Sequence, residues 1–144
     1  MSTTTIREIL GTRPLHSVGP ETPLREVARL MAAQRVGAVA VLEGERLAGI
    51  VSERDIVFRA VAEGLSTDGM TAAQVMTADP VSVEIDAALP DALAAHLGEE
   101  FRHMPVTEAG KVVGLLSYRD IPAEYVMLYE RFREMRASRA DDGV

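Results

Sequence analysis

The chain has 144 residues, 47% of them apolar, a net charge of −7 and no cysteine. That length suits one domain or two small halves sharing a core, and the missing thiols exclude disulfides, Cys-based zinc sites and a thiol nucleophile. Scattered Lys and Arg with only 4% aromatic residues argue against a nucleic-acid surface, and no apolar run approaches the roughly 18 residues of a membrane helix. The start, MSTTTIREIL, lacks a basic stretch followed by an apolar one, so no secretory signal is expected and a cytoplasmic location is the natural reading.

In chain order, a short extended piece at His16–Val18 leads to a helix in which Thr22 is the expected cap and Pro23 suits the first turn. Leu24, Val27, Ala28 and Met31 then fall at i, i+3, i+4 and i+7, one apolar helical face. AVAVL and LAGIV flank Glu43-Gly44-Glu45, which predicts a β-hairpin. GIVSERD, Gly49–Asp55, ends the second strand and opens another helix. The turn formers of GLSTDGMT, Gly64–Thr71, predict a linker.

The same sequence of elements then recurs. An offset of 65 residues aligns 18–56 with 83–121 without a gap, and nine of the 39 pairs are identical. Five of the nine fall in the last eight positions, where GLLSYRD, Gly114–Asp120, repeats GIVSERD. An extended piece at Val81–Val83 precedes a helix with Asp86 as the expected cap. Its apolar face is Leu89, Ala92, Leu93 and His96, the last read as a partly buried structural imidazole. MPVT and VVGLL flank Ala109-Gly110-Lys111 as a second hairpin. Tyr125, Leu128, Tyr129, Phe132 and Met135 at helical spacing predict a terminal helix that covers the module or a neighbouring subunit.

The predicted fold is therefore α/β (α+β): two β-α-β-β-α units, at 6–65 and 72–128, packed sheet to sheet, with a C-terminal helix and tail at 129–144. Neither unit, at about 60 residues, would bury its sheet well alone. Packing one on the other leaves a cleft between them.

Ser52-x-x-Asp55 and Ser117-x-x-Asp120 are capping-box patterns, and a cap contributes about 1 kcal/mol. Capping leaves Arg54 and Arg119 unexplained, since a cation in the first helical turn opposes the macrodipole. An anion explains both: free amides at a helix start, a hydroxyl and a guanidinium fork together suit phosphate. Gly49 and Gly114 are candidates for close approach of the strand to a ligand. The three histidines, His16, His96 and His103, have no metal-ligand spacing. YRD, Tyr118–Asp120, is shared with kinase catalytic loops, but the accompanying motifs are missing, as are G-x-S-x-G, Walker and G-x-G-x-x-G motifs. No enzyme activity is expected.

The runs VGAVAVLEGERLAGIVSERDI and VMTADPVSV…FRHMPVTEAGKVVGLLSYRDI resemble a tandem pair of cystathionine β-synthase (CBS) domains, a Bateman module, over residues 6–125. The length is most similar to short stand-alone bacterial members. The resemblance implies a regulatory module whose inter-repeat cleft binds an adenosine nucleotide: AMP, ADP, ATP or, in some members, NADH. It assigns Asp55 and Asp120 to ribose, and Ser52, Ser117, Arg54 and Arg119 to phosphate. It adds Arg102, His103 and Pro105 of FRHMPV in the second copy; the first copy has Gly37 and Ala38 in place of Arg102 and His103, so the two sites are expected to be unequal. It further implies a homodimer of modules. The alternatives are an interaction module whose Ser and Asp only cap, and a regulator acting in trans on an enzyme such as inosine monophosphate dehydrogenase.

Overall fold

A computed structural model describes residues 4–95, 102–127, 130–131 and 134–135. Helix α1 (Ile6–Leu10) precedes a first set of elements: β1 (Ser17–Val18), α2 (Leu24–Gln34), β2 (Ala38–Glu43), β3 (Arg46–Ser52) and α3 (Glu53–Ile56), which continues as a π-helical turn, Val57–Val61. Then come α4 (Ala72–Val75) and β4 (Thr77–Ala78), followed by β5 (Val83–Glu84), α5 (Leu89–Ala95), β6 (His103–Glu108), β7 (Lys111–Ser117) and a 3-10 turn, Tyr118–Asp120. A last helix, α6, covers 123–127. His96, Leu128, Tyr129 and Phe132 of the sequence reading lie outside the described residues. Tyr125 does pack against the second core.

The strands form two sheets, β1-β2-β3-β4 and β5-β6-β7. In each, a parallel strand precedes an antiparallel hairpin. The repeat extends to irregularities: both hairpins shift register at the same place, Val41/Leu42 and Val106/Thr107. Alternating apolar residues on these strands face α2 and α5, whose apolar stripes are buried as the periodicity requires.

The two cores are not made by the two repeats separately. Ile6 and Leu10 of α1, at the start of the chain, are buried with Val83, Leu89, Met104 and Leu116 of the second sheet. Ala72 and Val75 of α4 are buried with Leu24, Val39 and Val51 of the first. Each short helix therefore crosses to the other half. Five and four residues are far too few for a stable isolated helix, so α1 and α4 exist because they dock.

This exchange corrects the expected caps. The side chain of Thr22 accepts from the Gly19 amide at 3.0 Å, and α2 has no side-chain cap. Its first amide, Leu24 N, donates instead to Met70 O at 2.8 Å. Likewise Leu89 N of α5 donates to Thr4 O at 2.8 Å, while the Asp86 carboxylate accepts from Arg7 at 2.9 Å. Arg7 also pairs with Glu108 and holds the Asp86 carboxyl below its usual range. The orphan donors of a helix start need a partner, and here each crossing segment supplies a backbone carbonyl to the other half's helix. α1 and α4 begin with their own caps, Thr5 and Thr71, related by an offset of 66 residues.

Gly49 and Gly114 serve this docking rather than a ligand. A Cβ on Gly49 would lie 2.6 Å from Thr77 O and 2.7 Å from Met76 Sδ; one on Gly114 would lie 2.7 Å from Leu10 Cδ1. The glycines are the floor on which the crossing segments sit. Among the described residues, no helix is long and apolar enough to cross a membrane.

Candidate functional site

One end of the sheet pair carries both Ser-x-Arg-Asp motifs. Ser52 and Ser117 close β3 and β7 opposite Ala38 and His103, the first residues of β2 and β6. The chain is pinned there identically in both halves: Glu53 N donates to Gly37 O and Tyr118 N to Arg102 O, each at 2.9 Å. The residues before β2 and β6 are thereby fixed beside the motif helices. That is why FRHMPV and GLLSYRD, distant in sequence, meet.

The result is a cleft of about 890 Å³ between the halves, within the range of small-molecule sites. Ser52 and Arg54 line it from the first repeat, and Arg102, His103, Ser117, Arg119 and Asp120 from the second. Seven of the nine residues singled out in the sequence are thus brought together. The other two are not among its lining residues. Pro105 is fully buried in β6 and faces the interior. Asp55 is buried behind Ser52.

The two motif carboxylates have different environments. Asp55 accepts from Ser52 N at 2.9 Å, from Ser52 Oγ at 3.0 Å and from Thr77 Oγ1 at 3.3 Å. Arg59 lies 3.7 Å from it and donates to the carbonyls of Val75 and Met76, the end of α4. Asp120 also closes a capping box, accepting from Ser117 N at 2.7 Å, but its second oxygen faces the cleft and accepts from Arg13 at 2.8 Å. Arg13 in turn donates to the carbonyls of Ile9 and Leu10, the end of α1. An arginine thus straps the crossing helix to the motif carboxylate in both halves, from positions that are not equivalent in the repeat. Only Arg13 of the two lines the cleft.

The expected free amides at the helix starts are largely satisfied from within. Ser52 N and Ser117 N donate to the motif carboxylates, Asp55 N and Arg119 N to the motif hydroxyls, and Glu53 N and Tyr118 N to the carbonyls named above. Arg54, unexplained by capping, has a partner in Phe58, whose ring centroid lies 4.8 Å from the guanidinium carbon. An anion in this cleft is therefore met by side chains, and the lining supplies them. Five arginines (13, 35, 54, 102 and 119) face three carboxylates, Glu53, Asp120 and Glu130. In a chain of net charge −7, five of the 15 Lys and Arg line this cleft.

His103 sits deeper, its Nε2 3.4 Å from where a Cβ on Gly37 would be. Burial pushes its imidazole below the usual value, partly offset by Glu53, Asp120 and Asp55, while Arg102 adds to the depression. At pH 7 the neutral imidazole is thereby favoured, able to donate one hydrogen bond and accept another.

The sequence reading missed Arg13, Arg35 and Glu53. One signal for Arg13 was present: at an offset of 66, Thr5–Pro14 aligns with Thr71–Pro80, both beginning with Thr and ending with Pro. That alignment places α1 in the repeat and brings Arg13 to the site.

The CBS domain family model matches residues 6–61 and 72–124. The Arabidopsis thaliana CBS domain-containing protein CBSCBSPB2 is 38% identical over 101 residues, which are 69% of this chain and 19% of that one. The chain thus spans about a fifth of the length of that relative. Among solved structures, a Burkholderia ambifaria CBS-domain protein ascribed to signal transduction is 31% identical, with a TM-score of 0.74 over 81% of this chain and 90% of that one. The CBS domain protein PAE2072 from Pyrobaculum aerophilum, complexed with AMP, is 30% identical, with a TM-score of 0.75 over 89% and 99%. Two repeats, two matched segments and these relatives agree: the chain belongs to the CBS domain family, as a tandem CBS pair.

Proposed function

We propose that this CBS pair is a non-enzymatic, cytoplasmic sensor that binds an adenosine nucleotide (AMP, ADP, ATP or NADH) in the cleft between its repeats and passes occupancy to a partner protein. The observation that carries this reading is the convergence of Ser117, Arg119 and Asp120 with Arg102, His103 and Arg54 on one cation-rich cleft. The AMP complex of the Pyrobaculum relative supports the ligand class. Asp120 accepts from the ribose hydroxyls, and Ser117, Arg102 and Arg119 meet phosphate. Asp55 acts as a buried cap, so one cleft dominates. Exposed Val57, Phe58, Val61 and Leu65 on the face of the π-helical turn and its exit support self-association as a homodimer.

Binding changes shape only to the extent that the nucleotide prefers one conformation over another. Arg13 supplies a route, since it joins Asp120 to the end of α1. The test is calorimetric titration with AMP, ADP, ATP and NADH. Binding should occur and be weakened by Asp120→Ala more than tenfold, as expected for loss of charge-assisted hydrogen bonds of about 1.5–3 kcal/mol. No binding at millimolar nucleotide would sink this reading.

A further inference from the structure

Three carboxylates line the cleft, Glu53, Asp120 and Glu130, and local structure explains two of them. Glu53 opens α3, where negative charge suits the helix dipole. Asp120 closes the capping box of Ser117 and pairs with Arg13. Glu130 has neither role. It lies beyond residues 72–124, the second segment that the family model matches. Tyr125 and Val126, packed against the second core, anchor the chain just before it. Its Oε1 accepts a hydrogen bond from Tyr118 Oη at 2.9 Å, and both residues line the cleft.

The repeat gives that contact a meaning. At the offset of 65, Tyr118 is the counterpart of Glu53. The first copy carries a carboxylate on the residue after its motif serine. The second copy has a phenol there, and the phenol holds a carboxylate from 12 residues further on. A carboxylate beside the arginines of a cleft lowers the potential that draws in an anion. Glu53 and Asp120 belong to the motif turns themselves, whereas Glu130 comes from outside the repeated unit and is held by a side chain. Resting on the nucleotide reading above, we propose that Glu130 is an autoinhibitory counter-ion: its carboxylate, held by Tyr118, and the phosphate of the ligand exclude each other at the cleft. Exclusion is reciprocal by linkage, so losing the contact raises affinity and binding loosens the chain around Glu130.

The test uses the full chain and two variants, Glu130→Gln and Tyr118→Phe, titrated calorimetrically with AMP and with adenosine, which lacks the phosphate. Glu130→Gln keeps an acceptor for Tyr118 and removes the charge. It should bind AMP about two- to fivefold more tightly, the size of an exposed charge pair, and leave adenosine within about 1.5-fold. The gain should shrink at about 1 M salt, where charges are screened within about 3 Å. Tyr118→Phe should also tighten AMP and, with no nucleotide present, speed tryptic cleavage after the exposed Arg131. In the unaltered protein AMP itself should speed that cleavage. Unchanged or weaker AMP binding in Glu130→Gln, or adenosine tightened as much as AMP, would overturn the exclusion and leave the nucleotide reading standing. Absence of AMP binding in all three chains would overturn both.

Discussion

Gly49 and Gly114 occupy the same position in the two repeats, and the exchange of short segments makes alanine at each a different perturbation. At Gly49 the new methyl meets a backbone carbonyl, Thr77 O, at 2.6 Å, in a segment held by the pairing of Gly49 with Ala78 and Ile50 with Thr77. Strand β4 must move as a unit. At Gly114 the nearest atoms are the methyl ends of Leu10, at 2.7 and 2.8 Å, which a side-chain rotation relieves. Overpacking costs about 1–3 kcal/mol, with an immovable neighbour at the upper end, and alanine recovers about 0.5–1 kcal/mol of chain entropy in a strand. The net expectation is about 2–2.5 kcal/mol of destabilisation for Gly49→Ala and about 0–1.5 kcal/mol for Gly114→Ala. Urea unfolding of the two variants measures the difference, and for a chain of this length each kcal/mol corresponds to about 3–4 °C in melting temperature. Displacing β4 also moves Thr77 away from Asp55, so Gly49→Ala should disturb the buried capping box as well. Equal losses at the two glycines, or a larger loss at Gly114, would refute the claim that a crossing backbone segment is what Gly49 accommodates.

Ile6→Ala should cost about 2–5 kcal/mol, the loss typical of a buried isoleucine, although residue 6 lies far from the second repeat in sequence; thermal melting with tryptic digestion should show the second half opening first. Because burial depresses His103, the unfolded chain binds more protons between its ordinary value near 6.5 and the lower folded value. Stability from this group is complete above pH 6.5 and falls as the pH drops below it; urea midpoints at pH 7.5 and 5.5 should differ more for the unaltered protein than for His103→Gln. Val61→Glu, on the exposed apolar face, should leave the fold intact and shift sedimentation towards a monomer; an unchanged sedimentation coefficient would remove that face from the dimer.

The hairpins, the helical stripes and the repeat were readable because each rests on local spacing. Leu24, Val27 and Met31 are buried together because helical geometry brings i, i+3 and i+7 to one side whatever surrounds them. The Ser-x-Arg-Asp segments were readable for the same reason, since a capping box closes within four residues. Partners chosen from elsewhere in the chain were not readable. Thr22 and Asp86 have the chemistry of caps, but carbonyls supplied by the crossing segments reach the helix starts first.

The sequence by itself determined that this protein is built twice and that a hydroxyl, a cation and a carboxylate recur at one place in the unit. Tertiary structure decided what each copy does with them. Asp55 is turned under Thr77 and Arg59, whereas Asp120 faces the cleft with Arg13. The two strapping arginines stand at unrelated positions of the repeat, because what selects them is distance from a carboxylate and from the end of a docked helix. Periodicity carries no such distance. It follows only once α1 and α4 have crossed between the halves and buried their apolar faces in each other's core.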